Sequence, residues 1–117
     1  MKNKILIVDD EADIIEFMTV FLEDNDFEVR SADNGIKAMD LVKQSKPDLI
    51  LLDLQMPEQT GTGFYRRLHN SKQYKDIPII VVSGLAGRKL AVSKSVVVID
   101  KPVDKQKLLE EIHKVLG

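Results

Sequence analysis

The sequence predicts a doubly wound α/β sandwich in which parallel strands alternate with helices. Short runs of apolar, largely β-branched residues are typical of strands covered on both faces of a sheet. Four such runs occur, at residues 5–8, 49–52, 79–82 and 96–99. Helical patterns separate them, and this alternation favours right-handed βαβ crossovers. With a further strand candidate at residues 27–32, the 117 residues indicate one (βα)₅ unit.

The candidate strand at residues 27–32 differs from the other four. Phe27, Glu28, Val29 and Arg30 alternate between apolar and polar side chains. Alternation of this kind is typical of a strand with one solvated face. We therefore expect this strand at an edge of the sheet.

Apolar residues at helical spacing predict the faces by which helices pack on the sheet. In chain order the predicted faces are Ile14, Phe17, Met18, Phe21 and Leu22; Ile36, Met39 and Val42; Phe64 and Leu68; and Leu108, Leu109, Ile112, Val115 and Leu116.

The composition excludes several classes of function. Seventeen basic and nineteen acidic residues give a net charge of -2 without a block of like charge, which predicts no binding to nucleic acid or to a membrane. The absence of cysteine excludes disulfides, thiol catalysis and cysteine-based metal sites. The apolar run before Asp9 is too short for a signal peptide, so we expect a cytoplasmic protein. The length fits one domain without an output domain.

Polar side chains follow the four apolar runs, and in a parallel sheet these positions meet at one edge, where ligands bind. In the order of the runs they are Asp9 and Asp10, then Asp53, then Ser83, then Asp100 with Lys101. Taken singly, an Asp pair after a strand favours a turn or a helix cap, Ser83 a cap, and Lys101 a solvated amine. Their joint position favours a functional site.

The charges of this cluster predict a divalent cation. The carboxylates of Asp9, Asp10 and Asp53 repel one another unless cations share the site. Lys101 supplies one positive charge, and a divalent ion supplies the two that balance the cluster. A hard, oxygen-ligated ion such as Mg²⁺, which often retains waters and a phosphate ligand, fits a site of this kind.

Asp53 is the predicted nucleophile of an acyl-phosphate reaction. Such a reaction needs a carboxylate in line with a phosphoryl donor and groups that neutralise the transferred oxygens. Mg²⁺, Lys101 and the Ser83 hydroxyl are the predicted contacts of those oxygens.

These motifs resemble those of the response-regulator receiver family of two-component signalling, over essentially the whole chain. The resemblance rests on KILIVDDE at residues 4–11, on DLQMP at residues 53–57 followed by Gly61, on Ser83 after a strand, and on Lys101-Pro102. Four motifs in this order are far more specific than any one of them.

The resemblance implies a flavodoxin-like sheet with strand order 2-1-3-4-5, and a role for each site residue. Asp53 would be the phosphoacceptor, Lys101 the phosphoryl contact and Ser83 the switch hydroxyl, with the metal held by Asp9, Asp10, Asp53 and the backbone carbonyl of Gln55. The bond before Pro102 is usually cis in this family. The donor would be a histidine kinase or a histidine phosphotransfer protein, and an unidentified protein would read the signal. The chain would catalyse only its own phosphorylation on Asp53 and the later hydrolysis of that phosphate, so it would not be an enzyme that turns over a separate substrate.

Two features depart from the family pattern. The chain between Ser83 and Lys101 is about one helical turn shorter than usual and lacks the Gly-Ala that commonly precedes the last strand, so we expect a shortened fourth helix within residues 83–95. Val98 stands where the family usually has Tyr or Phe. A short helix would leave the strand at residues 96–99 less covered, which predicts a possible homodimer through the side formed by the fourth helix and that strand.

Two other functions compete with the phosphoacceptor. A pseudo-receiver, an interaction module that signals without phosphate, is favoured by Val98 and the altered fourth helix. An aspartyl phosphatase is disfavoured, because such enzymes usually carry a second Asp where this chain has Gln55. His69 and His113 are expected to face solvent, with no role in phosphotransfer.

Overall fold

The computed structural model describes residues 2–56, 60–84 and 96–117. Within them the chain forms five strands and four helices. In chain order they are β1 (Lys4–Val8), α1 (Ala12–Asp24), β2 (Glu28–Ala32), α2 (Gly35–Gln44), β3 (Leu49–Leu52), α3 (Thr60–His69), β4 (Ile79–Ser83), β5 (Val97–Asp100) and α4 (Lys105–Leu116). The helix predicted between β4 and β5 lies outside the described residues, as does the part of the proposed homodimer side that this helix would form. None of the described helices has the length and apolar character needed to cross a membrane.

The strands form one parallel sheet in the order β2-β1-β3-β4-β5. This order confirms the prediction, including the edge position of β2, whose residues are mostly solvent-exposed. The last residues of β1 and β3, Val8 and Leu52, are paired, and Ser83 of β4 is paired with Asp100 of β5. The residues that follow these strands therefore meet at one edge.

Alternate residues of the central strands pack on opposite faces of the sheet. Leu6, Val8 and Ile50 contribute to a core beneath α2 and α3, whereas Ile5 and Ile7 contribute to a core beneath α1 and α4. Both faces of these strands are buried, which explains why they read as continuous apolar runs.

The prediction that Ile36 belongs to the buried apolar face of α2 is wrong, because this residue is 62% exposed. Gly35, Ala38 and Val42 are the buried residues of this helix. Gly35 lies so close to the backbone carbonyl of Thr60 that no side chain fits there, and this contact turns the neighbouring Ile36 to solvent. The face of α4 is likewise narrower than predicted, since Val115 is exposed.

Gly61 fixes the contact between α3 and the strand end that carries Asp53. A Cβ at Gly61 would collide with the carbonyl oxygen of Asp53 and lie 3.1 Å from Met56 Cε. We expect Gly61→Ala to destabilise the fold by about 1–3 kcal/mol, because backbone has to move. Gly63→Ala, on the same helix, is the matched control: no described atom lies within 4 Å of its Cβ, and helix propensity favours alanine by about 1 kcal/mol. Urea unfolding of both variants tests this difference, and equal stabilities would contradict it.

Candidate functional site

The carboxylates of Asp9 and Asp53 are fixed side by side at the edge of the sheet. The Asp9 N–H donates to the carbonyl of Ala32 (3.1 Å) and the Asp53 N–H to that of Val8 (2.9 Å), so the ladder of the sheet continues one residue past each strand. Both residues are buried, with 1% and 2% of their surface exposed. Their positions are therefore set by the sheet rather than by a mobile loop.

A short turn holds one oxygen of each carboxylate. Asp9 Oδ1 accepts a hydrogen bond from the N–H of Glu11 (2.9 Å), and Asp53 Oδ1 accepts one from the N–H of Gln55 (2.8 Å). Aspartate side chains commonly bond the backbone two residues on in this way. The Oδ2 atoms of Asp9 and Asp53 are left to meet Lys101.

Among the described residues, Lys101 is the one positively charged side chain in this cluster. Its N–H donates to the carbonyl of Ser83 (2.9 Å), and the bond to Pro102 is cis, as the family resemblance implies. Its Nζ lies 2.9 Å from Asp9 Oδ2, 2.7 Å from Glu11 Oε1 and 3.3 Å from Asp53 Oδ2. Since only 13% of the side chain is exposed, Lys101 is not a solvated surface amine.

The local charges shift two pKa values. Burial raises the pKa of Asp9 above its ordinary value of 3.8, and the charge of Asp53 acts in the same direction, whereas the Glu11 N–H and Lys101 lower it only in part. Burial lowers the pKa of Lys101, but its contacts with Glu11 and Asp9 and the charges of Asp9 and Asp53 outweigh that effect, so the pKa is raised. Lys101 therefore stays protonated, and the site favours a further positive charge beside Asp9.

The donor set fits a divalent cation. Asp9 Oδ2 is buried and has no hydrogen-bond partner among the described residues, although it forms an ion pair with Lys101 at 2.9 Å. Asp9, Asp10, Glu11 and Asp53 can each offer an oxygen within 4.8 Å of the others. An unsatisfied buried oxygen beside three further carboxylates is the donor chemistry that Mg²⁺ prefers.

Ser83 lies at the same edge but is engaged with a neighbour. Its buried hydroxyl donates to the side-chain oxygen of Gln55 at 3.2 Å. Gln55 therefore touches the site through its side chain, a contact that sequence reasoning did not predict. Asp100, the last residue of β5, is exposed and lies outside the group of carboxylates.

Glu11 is the site residue that sequence reasoning missed. It makes the shortest contact with Lys101 and adds a fourth carboxylate to the three that were predicted. Its position directly after Asp9 and Asp10 could have indicated a role in the site. A glutamate at the start of a helix, however, is usually expected to face solvent. His69 and His113 are exposed, as predicted, and rest against Tyr65 and Phe27 respectively.

Comparison with known proteins identifies the family. A model described as the response regulator receiver domain matches residues 5–113. The chain belongs to this family. Receiver domains act in two-component systems, where they generally accept phosphoryl groups, bind Mg²⁺ in an acidic pocket, and interact with histidine kinases and downstream targets.

Single-domain response regulators are among the relatives of this receiver domain. Protein Rrf1 of Nitratidesulfovibrio vulgaris is 29% identical over 117 residues, covering 100% of this chain and 85% of that protein. The polar-differentiation response regulator DivK of Brucella anthropi is 28% identical over 121 residues, covering 100% of this chain and 98% of DivK. The chemotaxis response regulator CheY4 of Vibrio cholerae superposes with a TM-score of 0.84 at 26% identity, covering 98% of this chain and 99% of that one.

Proposed function

We propose that this receiver domain takes a phosphoryl group onto Asp53 from a phosphohistidine of a histidine kinase or histidine phosphotransfer protein. The observation that carries the proposal is the position of the Asp53 carboxylate, buried at the strand edge with Lys101 Nζ 3.3 Å away and Asp9 alongside. A nucleophilic carboxylate, a fixed ammonium and an acidic metal pocket are the parts that phosphoryl transfer requires.

In the proposed reaction an oxygen of Asp53 attacks the phosphorus atom. The bond between phosphorus and the donor imidazole breaks, its electron pair stays on the imidazole nitrogen, and Asp53 becomes an acyl phosphate. Lys101 and the Ser83 hydroxyl each neutralise a phosphoryl oxygen, which for Ser83 requires release from Gln55. Water later attacks the phosphorus and releases inorganic phosphate, so the chain is regenerated without being a turnover enzyme.

The residues proposed to hold Mg²⁺ are Asp9, Asp10, Asp53 and the backbone carbonyl of Gln55. The unsatisfied Oδ2 of Asp9 supports this assignment. When bound, the ion would neutralise charge on the phosphoryl oxygens and on the carboxylates. The turns hold Oδ1 of Asp9 and of Asp53 and leave the Oδ2 atoms to face Lys101 and the proposed ion.

A pseudo-receiver is the second candidate function, and Val98 is the observation that favours it. Val98 is a partly buried residue of β5 that packs against the core beneath α2 and α3. An aliphatic side chain there offers no ring to move when the switch hydroxyl moves, so a downstream protein has to recognise another feature of the phosphorylated state. We propose that this recognition takes place in the cytoplasm.

Intact-mass measurement with a small phosphodonor distinguishes the two functions. Incubation with acetyl phosphate and Mg²⁺ is expected to add one phosphoryl group to the native chain, and a chelator in place of Mg²⁺ is expected to prevent it. The reason is that the carboxylates repel an anionic donor unless a divalent cation neutralises them. If neither acetyl phosphate nor a phosphohistidine protein yields an adduct with Mg²⁺ present, the pseudo-receiver is the better account.

A further inference from the structure

Glu11 makes a contact that helix formation does not explain. It is the N-cap residue of α1, and its backbone carbonyl accepts hydrogen bonds from the N–H groups of Ile14 and Ile15. Its side chain makes no capping hydrogen bond to the helix. The carboxylate instead reaches Lys101, with Oε1 2.7 Å from Nζ, although the side chain is 57% exposed.

Three carboxylates crowd around the ammonium group of Lys101. An ammonium group has three N–H donors, and three carboxylates lie within reach of Nζ, those of Asp9, Glu11 and Asp53. Nζ donates hydrogen bonds to Glu11 and Asp53, whereas Asp9 lies beside it as an ion pair. A phosphoryl oxygen that binds Lys101 is a fourth anionic group around Nζ, and like charges at this distance repel, so we expect one carboxylate to move away. Asp9 and Asp53 are buried and tied by their turns, whereas Glu11 can release its carboxylate into water.

We propose that Glu11 is a positioning residue whose carboxylate lies, in the resting protein, beside the Lys101 ammonium where a phosphoryl oxygen would bind. This inference rests on the proposed function. Glu11 orients the ammonium over Asp53 and competes with the incoming phosphoryl oxygen, so it slows phosphorylation. With Glu11 the site has four carboxylates, whereas Lys101 and a divalent ion together supply three positive charges. The remaining negative charge repels an anionic phosphodonor.

The test compares Glu11→Gln with Glu16→Gln at saturating Mg²⁺. Gln retains the size of Glu and the backbone contacts of residue 11 while removing the charge. Glu16 lies on the exposed side of the next turn of α1 and makes no ion pair with a described residue, so its variant has the same net charge without the Lys101 contact. We expect Glu11→Gln to react with acetyl phosphate about two- to fivefold faster than the native chain, the range of an exposed ion pair, and Glu16→Gln to match the native rate.

A double variant separates positioning from a general effect on structure. In a Lys101→Met background, Glu11→Gln is expected to change the rate by less than in the native background, because the competing contact is already absent. The dissociation constant for Mg²⁺, measured without a phosphodonor, is expected to change by less than about tenfold, the lower end of the loss that follows mutation of a residue that orients a metal ligand.

The outcomes of these experiments are distinct. An unchanged or slower Glu11→Gln rate on a reactive native chain would overturn the inference and leave the proposed function standing. A large loss of Mg²⁺ affinity in Glu11→Gln would overturn it as well, since Glu11 would then be a metal ligand. A native chain that takes no phosphoryl group would overturn the proposed function, and this inference with it.

Discussion

Replacing Asp53 by asparagine is expected to abolish the phosphoryl adduct that the native chain forms with acetyl phosphate and Mg²⁺. The amide oxygen of Asn can still accept the hydrogen bond that Gln55 N–H donates to Asp53 Oδ1. The amide has no nucleophilic oxygen anion, so no acyl phosphate can form. The measurement is intact mass after incubation, with circular dichroism to verify that the variant is folded.

Asp100→Asn is the matched control for this substitution. Asp100 lies at the same edge of the sheet, as the last residue of β5, and is also an aspartate, but it is exposed and lies outside the carboxylate cluster. We expect this variant to gain one phosphoryl group as the native chain does. An adduct that persists in Asp53→Asn, or that disappears in Asp100→Asn, would contradict the assignment of Asp53.

Replacing Lys101 by methionine is expected to slow phosphoryl transfer by about 10²- to 10³-fold, the typical effect of removing one donor to a developing anion. Methionine retains much of the length of the lysine stem but supplies no charge to Asp53 or to the phosphoryl oxygens. The initial rate with acetyl phosphate at saturating Mg²⁺ measures the effect. Lys114→Met, which removes an exposed lysine paired with Glu111 on α4, is expected to react at the native rate. A native rate in Lys101→Met would contradict the proposed role.

The same substitution is expected to change stability with pH in a defined direction. Breaking a buried ion pair by removing one partner costs about 3–5 kcal/mol, and Asp9 and Asp53 both lose their cation. Because the pKa of Asp9 is raised in the folded protein, its protonation favours folding below pH 3.8, and this contribution is lost as the pH rises through the raised pKa. Without Lys101 the pKa of Asp9 rises further. The stability deficit of the metal-free variant relative to the native chain is therefore largest at neutral pH and shrinks on acidification. Urea unfolding across this range tests the sign, and a deficit that grows with acidity would contradict it.

The sheet and four residues of the site were predictable because of a simple geometric rule. Parallel strands that are buried on both faces read as apolar runs, and the residues after them share one edge. This rule locates Asp9, Asp53, Ser83 and Lys101 without knowledge of any distance, and the register of β1, β3, β4 and β5 agrees with it.

The rest depended on contacts between residues distant in sequence. Ile36 fits a helical apolar pattern, but the packing of Gly35 against Thr60 selects a different face of α2. Glu11 and Lys101 are brought together only by the sheet, so no local pattern indicates their ion pair. The Ser83 hydroxyl likewise donates to the side chain of Gln55, a residue that follows the neighbouring strand β3.

Mapping the phosphorylated residue tests the central claim most directly. Borohydride reduces an aspartyl phosphate to homoserine and releases phosphate, which marks the residue covalently before peptide analysis. With the native chain, acetyl phosphate and Mg²⁺, the account predicts homoserine at residue 53 and none at Asp9, Asp10 or Asp100. Homoserine at another of these positions, or a phosphoryl group on a residue that borohydride does not reduce, would contradict it.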